Sequence, residues 1–254
     1  MTVHDIAEGQ RPNAYTEWDA RTDLAALHRL YVHFAWTDLI YTHLTARVPG
    51  EPGHYLIKPD QLMMDEVTAS NLIKVDFDGN LVAGDAAPNQ AGHLIHTAVL
   101  AARPEITFTA HTHSRSGAAV SCLAEGILPL SQHANMVLPT VCYHDYQDVT
   151  SAEDECAALA RDLGDKFLMV MKNHGLLACG RSVGECFYWL YYLEMACKIQ
   201  MDVLASGREP VLVSDAIVDG LYCESGMPEN EPSGARAWSS MIRMLDRKES
   251  DFRE

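Results

Sequence analysis

Two apolar segments that resemble β-strands are each followed closely by histidine. Any fold of this chain must accommodate the histidines at these two strand ends. Residues 106–110 are followed by His111 and His113, and a second such segment runs into His174. Because residues i and i+2 of an extended chain point to the same side, His111 and His113 can face one metal ion. Gly175 allows a close backbone approach or a positive φ beside His174. Three imidazoles with an open position are typical of a catalytic metal site, and the alternative is ordinary histidines that end two strands.

The rest of the chain alternates between helical and extended patterns. Apolar residues at helical spacing predict helices at 22–39, 90–102, 116–124, 152–163, 183–205 and 238–245. Further strands are predicted at 41–48, 53–58, 72–77, 81–82 and 137–143. No internal repeat is visible, and 254 residues suit one large α/β domain. We expect an N-terminal arm over 1–21, one domain over 22–206, and a tail over 207–254 with a short helix.

Charge and cysteine content exclude several classes of protein. The chain has 19 Lys and Arg against 35 Asp and Glu, and the net charge of −16 would repel a nucleic-acid backbone. No apolar run approaches the roughly 18 residues that cross a bilayer, and no secretory signal is evident at the start. The seven cysteines are odd in number and lack CxxC spacing, which favours reduced thiols. We expect a cytoplasmic protein with no nucleic-acid or membrane partner.

Two further histidines have both a functional and a structural interpretation. His96 lies on the predicted helix before the His111 strand, where it could reach the metal or orient a ligand. A buried, hydrogen-bonded core histidine is the alternative. His133 lies in a stretch that resembles a loop, where it could donate a proton or be a plain surface histidine.

One glycine spacing resembles a phosphate-binding loop. Residues 175–182 have glycines at the required positions after a strand and before a helix. The lysine of such a loop is replaced by Arg181, and residues 176–179 are too apolar for a solvated phosphate cradle. We therefore interpret this segment as something other than a nucleotide site.

Several segments share their order and spacing with one known family. They are TDLIYTHLTAR (37–47), EVTAS (66–70), KVD (74–76), NQAG (89–92), His96, HTH (111–113), NHGLL (173–177) and YLEMAC (192–197). With them the chain resembles the class II aldolase/adducin family over roughly residues 22–206. Its tail around Trp238 resembles the adducin-like bacterial branch.

The resemblance implies a fold, a cofactor and an assembly. It implies a three-layer α/β/α fold around a central, mostly antiparallel sheet. It also implies a divalent metal on His111, His113 and His174, most often zinc with manganese or iron in relatives, and a homotetramer with active sites between subunits. In the aldolases of the family the metal stabilises an enolate or carbanion equivalent while a carbon–carbon bond breaks.

Departures from the family pattern modify the expected activity. In the sugar-phosphate aldolases a catalytic glutamate, which can also bind the metal, stands where this chain has Gly92. The positions of their phosphate pocket correspond here to His43, 60–61 and 90–91. Asp60 would repel a phosphate, so a sugar-phosphate substrate is not expected. Their tyrosine acid, from a neighbouring subunit, corresponds to the region of His133.

The expected activity is that of a metal-dependent carbon–carbon lyase, by retro-aldol cleavage or decarboxylation. Its substrate would be a small non-phosphorylated oxo, hydroxy or aromatic acid. Arg115 could pair with the carboxylate and Lys58 could assist, although both could be plain surface charges. His133, or a metal-bound water, would carry the proton. The expected substrate-binding residues are Arg115, His43, Lys58, Gln61 and Gln90. A non-catalytic adducin-like scaffold and an iron-dependent oxygenase on the same fold are the alternatives.

Overall fold

The computed structural model of the chain describes residues 14–146, 153–223, 234–248 and 250–254. Its helices are α1 (Glu17–Phe34), α2 (Gln90–Ala102), α3 (Arg115–Ser121), α4 (Gln132–Val137), α5 (Glu153–Leu163), α6 (Val183–Ala205), α7 (Asp215–Cys223) and α8 (Ala235–Lys248). Its strands are β1 (His43–Arg47), β2 (His54–Ile57), β3 (Ile73–Asp76), β4 (Leu81–Ala83), β5 (Phe108–Thr112), β6 (Val141–His144), β7 (Leu168–Met171) and β8 (Gly175–Gly180).

The strands form one sheet in the order β4-β3-β2-β1-β5-β8-β7-β6. Every neighbouring pair is antiparallel except β6 and β7, which are parallel. One core packs α1, α3, α4, α6 and α8 against one face of the sheet, and a second core packs α2 and α5 against the other. This arrangement confirms the predicted three-layer α/β/α fold with a mostly antiparallel sheet.

The strand β8 lies near the centre of the sheet, between β5 and β7, and was not predicted. All six of its residues are buried. Leu176 packs into one core and Leu177 into the other. A strand that is buried on both faces does not alternate between apolar and polar residues. Its sequence therefore resembles the apolar interior of a loop. The strand also confirms that residues 175–180 do not form a phosphate-binding loop.

The ends of several predicted elements differ in the structure, and the differences are clearest for the first helix and for β6. The first helix begins at Glu17 because Thr16 caps it: the Asp19 amide donates to the Thr16 hydroxyl, and the Thr16 amide donates to the Asp19 carboxylate. It ends at Phe34, before Ala35 in the left-handed region. The strand predicted at 137–143 is shifted, because residues 138–140 form a short 3-10 turn and β6 occupies 141–144.

The C-terminal helix α8 and the residues after it pack onto the domain. Trp238 and Leu245 of α8, and Phe252 after it, are buried in the same core as α1 and α6. The predicted arm over 1–21 and the tail stretch 224–233 lie partly or wholly outside the described residues. The division of the chain into arm, domain and tail stays a prediction. Among the described helices none combines the length and apolar character required to span a membrane.

A carboxyl group is sealed into the core on α6. Glu194 is fully buried, and neither of its oxygens makes a hydrogen bond of normal geometry to a described residue. Burial raises the pKa of Glu194 to about 7, and the nearby Ser114 hydroxyl and Lys198 offset only part of that shift. The neutral acid is therefore the form that the core tolerates.

Glu194 makes the stability of the fold depend on pH. Below the ordinary glutamate pKa the group is protonated in both the folded and the unfolded chain, so it has no effect. Between that pKa and about 7 the unfolded chain ionises while the folded chain keeps the neutral acid, so the fold loses stability over this range, in total about 3 kcal/mol relative to Glu194→Gln. Urea unfolding of both proteins at pH 5 and pH 8 should show the variant gaining most of that advantage between the two pH values. An equal difference at both pH values would contradict this.

Candidate metal centre

The three predicted ligands converge from two neighbouring strands. His111 lies on β5 and His113 directly follows that strand, while His174 lies in the tight turn between β7 and β8. Asn173 has a φ of 57°, in the left-handed region that asparagine tolerates better than most residues. The pairing of β5 with β8 sets His174 beside the other two rings. One ligand atom from each histidine lies within 4.8 Å of the others.

Hydrogen bonds fix which ring nitrogen of His111 and His113 faces inward. His111 Nδ1 donates to the Leu176 carbonyl at 2.9 Å, and His113 Nδ1 donates to Asp38 Oδ2 at 2.9 Å. The Nε2 atoms therefore turn lone pairs towards one another, at 2.8 Å between His111 and His113 and at 2.9 Å between His113 and His174. A cation between them removes this repulsion, and tetrahedral zinc would separate them to about 3.3 Å. The donor set therefore fits a divalent metal ion.

The protonation state of the rings also suits metal binding. Burial, with the neighbouring histidines, lowers the pKa of His111 well below its usual value. Burial and His113 lower the pKa of His174 to about 4. Neutral imidazole is the form that binds a metal ion, so these ligands need no deprotonation at neutral pH.

Asp38 is an outer partner of the site that sequence reasoning missed as a functional residue. Its carboxylate accepts the Nδ1 proton of His113, which fixes the ring and makes it a better ligand. The next residue, Leu39, has a φ of 48°, a strained conformation for leucine. Such strain is common at functional sites, and here it accompanies the turn that presents Asp38. The only sequence signal was the place of Asp38 in the segment TDLIYTHLTAR.

Asp38→Asn should weaken zinc binding about tenfold to a hundredfold, because the charged acceptor behind His113 is lost. Competition against a chromophoric chelator measures the change. Asp165→Asn is the matched control, since that carboxylate is 91% exposed. Unchanged zinc affinity in Asp38→Asn would show that the hydrogen bond has no role in holding the metal.

A fourth imidazole lies against the cluster. The ring of His43 stacks on His111, with centroids 4.8 Å apart and planes 25° apart. His43 Nδ1 lies 2.8 Å from His96 Nε2, and His96 Nδ1 lies within hydrogen-bond distance of the hydroxyls of Thr45 and Thr109. Burial and neighbouring histidines lower the pKa values of both His43 and His96. His96 is thus a buried, hydrogen-bonded core residue outside the three-histidine group.

The other predicted site residues differ in where they lie relative to the three-histidine group. Arg115 is exposed at the start of α3, two residues after His113, and makes no ion pair with the described residues. Gln61 and Gln90 are exposed on two segments joined by a bridge between Pro59 and Pro88. These three placements are compatible with substrate contact and do not test it.

The surroundings of Lys58 and His133 differ more from those expected from the sequence. Lys58 is only 1% exposed and its ammonium donates to the carbonyls of Pro59 and Asp60, so it is not a surface charge. Burial lowers the pKa of Lys58. His133 packs against Tyr192 on α6, and none of its described contacts reaches the three-histidine group.

The sequence matches the family described as Class II Aldolase and Adducin N-terminal domain over residues 22–201. A putative aldolase class 2 protein from Caulobacter vibrioides is 42% identical over 240 residues, covering 93% of this chain and 92% of that protein. Mouse alpha-adducin is 39% identical to this chain. The match covers 89% of this chain and 33% of the adducin.

Solved structures agree with these similarities. A crystal structure of an aldolase II superfamily protein from Pseudomonas syringae has a TM-score of 0.90 and 40% sequence identity, with complete coverage of both chains. L-fuculose 1-phosphate aldolase from Glaciozyma antarctica has the same fold, with a TM-score of 0.82 at 23% identity and complete coverage of both chains. The match over most of the chain, the sheet order and the three convergent histidines lead to one conclusion: this chain belongs to the class II aldolase and adducin family.

Proposed function

We propose that the protein is a metal-dependent carbon–carbon lyase that acts on a small non-phosphorylated oxo, hydroxy or aromatic acid. Retro-aldol cleavage and decarboxylation are the two reactions that fit. The observation that carries the proposal is the convergence of three histidine Nε2 atoms, two of them oriented by acceptors behind the rings. Class II aldolases are metal-dependent lyases, and this chain has three histidines that could hold the ion.

His111, His113 and His174 would hold the divalent ion, most simply zinc, with manganese or iron as alternatives. When bound, the ion supplies a positive charge that stabilises negative charge developing on the substrate as the bond breaks. The Leu176 carbonyl and Asp38 keep two of the rings aimed at that position. Three protein ligands leave room for a substrate.

The surroundings of the centre favour a carboxylate over a phosphate. The Asn89 amide holds Asp60 beside the first turn of α2, at 2.7 Å. A helix N-terminus attracts anions, but a carboxylate already beside it opposes a phosphate there. Arg115 is exposed without an ion-pair partner among the described residues, so it is available to pair with a substrate carboxylate.

Proton transfer and assembly are linked in this proposal. His133 is the proposed proton carrier, and within one chain its ring lies against Tyr192 rather than in the histidine cluster. A homotetramer with active sites between subunits would bring His133 from a neighbouring copy to the metal. The six cysteines whose side chains are described are all free, which supports a cytoplasmic location.

A substrate screen tests the proposal. The metal-loaded protein is incubated with 2-oxo acids, 2-hydroxy acids, aromatic acids and sugar phosphates, and release of pyruvate, aldehyde or CO₂ is measured. We expect turnover with at least one carboxylic acid class and none with sugar phosphates. Turnover confined to sugar phosphates, or none of any class from fully metal-loaded protein, would contradict the proposal.

The similarity to alpha-adducin favours a second candidate function, a non-catalytic scaffold on the same fold. Gly92, in the place of the catalytic glutamate of the aldolases, is compatible with that role. Elemental analysis of purified protein separates the two candidates, since a stoichiometric divalent metal supports the lyase and its absence supports the scaffold.

A further inference from the structure

His43 and Gly92 occupy one space beside the metal centre. A Cβ atom built on Gly92 would lie 2.9 Å from Cγ of His43 and 3.1 Å from its Cδ2. A contact shorter than 3.0 Å requires one of the two groups to move. His43 lies on strand β1 and Gly92 lies on helix α2, so each is held in place by the backbone of its element. The imidazole can therefore stay where it is only if position 92 has no side chain.

His43 is well placed to line the centre but poorly placed to bind the metal. It pairs directly with His111 across β1 and β5, and the two rings are nearly parallel. An imidazole nitrogen makes its bonds and hydrogen bonds in the plane of its ring. The nitrogens of His43 therefore point alongside those of His111 instead of towards the same point. His43 is accordingly a neighbour of the metal's ligands and not a fourth ligand.

The orientation of the His43 ring is fixed from behind. Its Nδ1 is hydrogen-bonded to His96, which is itself held by the hydroxyls of Thr45 and Thr109. Nε2 is left without a hydrogen bond to any described residue. The side chain itself is buried, with His43 only 3% exposed. With a threonine hydroxyl donating to His96 Nδ1, His96 Nε2 donates to His43 Nδ1, and His43 Nε2 then carries the ring's N–H. A fixed ring with that N–H beside a metal centre can donate to an oxygen of a ligand of that metal.

The pair also determines the charge of the centre. The group consists of three imidazoles, which carry no negative charge, and no described carboxylate belongs to it. Because Gly92 and the His43 ring exclude a side chain from α2, no acid enters from that helix either. The positive charge of a divalent ion bound there would be offset only by the carboxylate of Asp38, which lies behind His113. Such a centre favours an anionic ligand. With only three protein ligands the metal would keep room for oxygens of that ligand, which suits an anion with two adjacent oxygens.

We propose that the His43–Gly92 pair sets the substrate specificity of the centre, with His43 Nε2 holding one oxygen of a 2-oxo or 2-hydroxy carboxylate bound at the metal. The inference rests on the proposed function and narrows its substrate to acids that present two adjacent oxygens. The test uses oxalate, a two-oxygen dianion, as the probe. Its dissociation constant for the zinc-loaded protein is measured by titration calorimetry, and the zinc content of every variant is measured in parallel.

His43→Ala should retain stoichiometric zinc and bind oxalate about tenfold to a hundredfold more weakly. His43→Asn serves as a second variant in case the alanine variant does not fold. Gly92→Ala should cause a similar loss by displacing the ring, yet it should add nothing in the His43→Ala background. His43→Ala with Gly92→Glu, in which the carboxylate has room, should bind oxalate at least a hundredfold more weakly. His54→Ala is the matched control, at a histidine paired with Glu51.

Several results would overturn the inference. Oxalate binding as tight in His43→Ala as in the parent would remove the proposed contact, and loss of zinc in that variant would make His43 a ligand. Additive effects of the two single variants would show that the residues act separately. If the parent binds zinc and oxalate as expected yet turns over no acid, the proposed function fails while the assignment of His43 stands.

Discussion

His111→Ala is expected to remove both the bound metal and turnover. The Nε2 atom of His111 lies 2.8 Å from that of His113, and the Leu176 carbonyl fixes the ring through Nδ1, so the substitution removes one of the three converging nitrogens. Loss of an outer partner such as Asp38 costs about tenfold to a hundredfold in metal affinity, and loss of a ligand should cost more. Zinc content after dialysis and single-turnover rates measure the two effects.

The His111→Ala result needs a control for folding, because the side chain is fully buried. Thermal unfolding of the metal-free parent and variant shows how much stability is lost apart from the metal. His54→Ala, at a half-buried histidine outside the centre, should retain zinc and turnover. A folded His111→Ala protein that has lost zinc but retains turnover would exclude metal-dependent catalysis.

Gly175→Val is expected to destabilise the fold strongly. A Cβ at this position would overlap the Thr112 carbonyl oxygen and lie 3.2 Å from Cδ2 of His113. The clash falls on the central pair β5 and β8, between two of the proposed metal ligands, so relaxation must move either the strands or the rings. Overpacking of this kind costs about 3 kcal/mol, which lowers Tm by roughly 10 °C in a chain of this size.

Calorimetric melting of the metal-free protein measures the effect of Gly175→Val, and zinc titration should show weakened binding as well. Gly53→Ala is the matched control, because no heavy atom lies within 4 Å of a Cβ built there. We expect that variant to melt within about 2 °C of the parent. Equal melting temperatures for Gly175→Val and the parent would show that the approach of the two strands is not tight.

The sequence predicted the histidine cluster because strand geometry alone brings His111 and His113 to one side. It also predicted α2 and α6 with their observed bounds, since both combine helical spacing with an N-cap, Asn89 and Ser182. The family resemblance then supplied the layers and the sheet. These features depend on local pattern or on the order of motifs along the chain.

What the sequence could not predict depends on contacts between distant residues. The β8 strand resembles a loop because both of its faces are buried. Asp38 and His113 are far apart in the sequence, and no local pattern joins the carboxylate to that ring. Lys58 resembles a surface charge until the packing of β2 buries it. The exclusion of a side chain at Gly92 by His43 likewise appears only once β1 and α2 are packed together.

Anomalous diffraction from crystals of the zinc-loaded protein tests the central claim most directly. If the three histidines form a metal centre, data collected at the zinc absorption edge will show one strong peak per chain at their Nε2 atoms. Its distance from each of the three nitrogens should be about 2.0–2.1 Å. A zinc peak elsewhere, or no peak between His111, His113 and His174 in protein that has been saturated with zinc, would contradict the account.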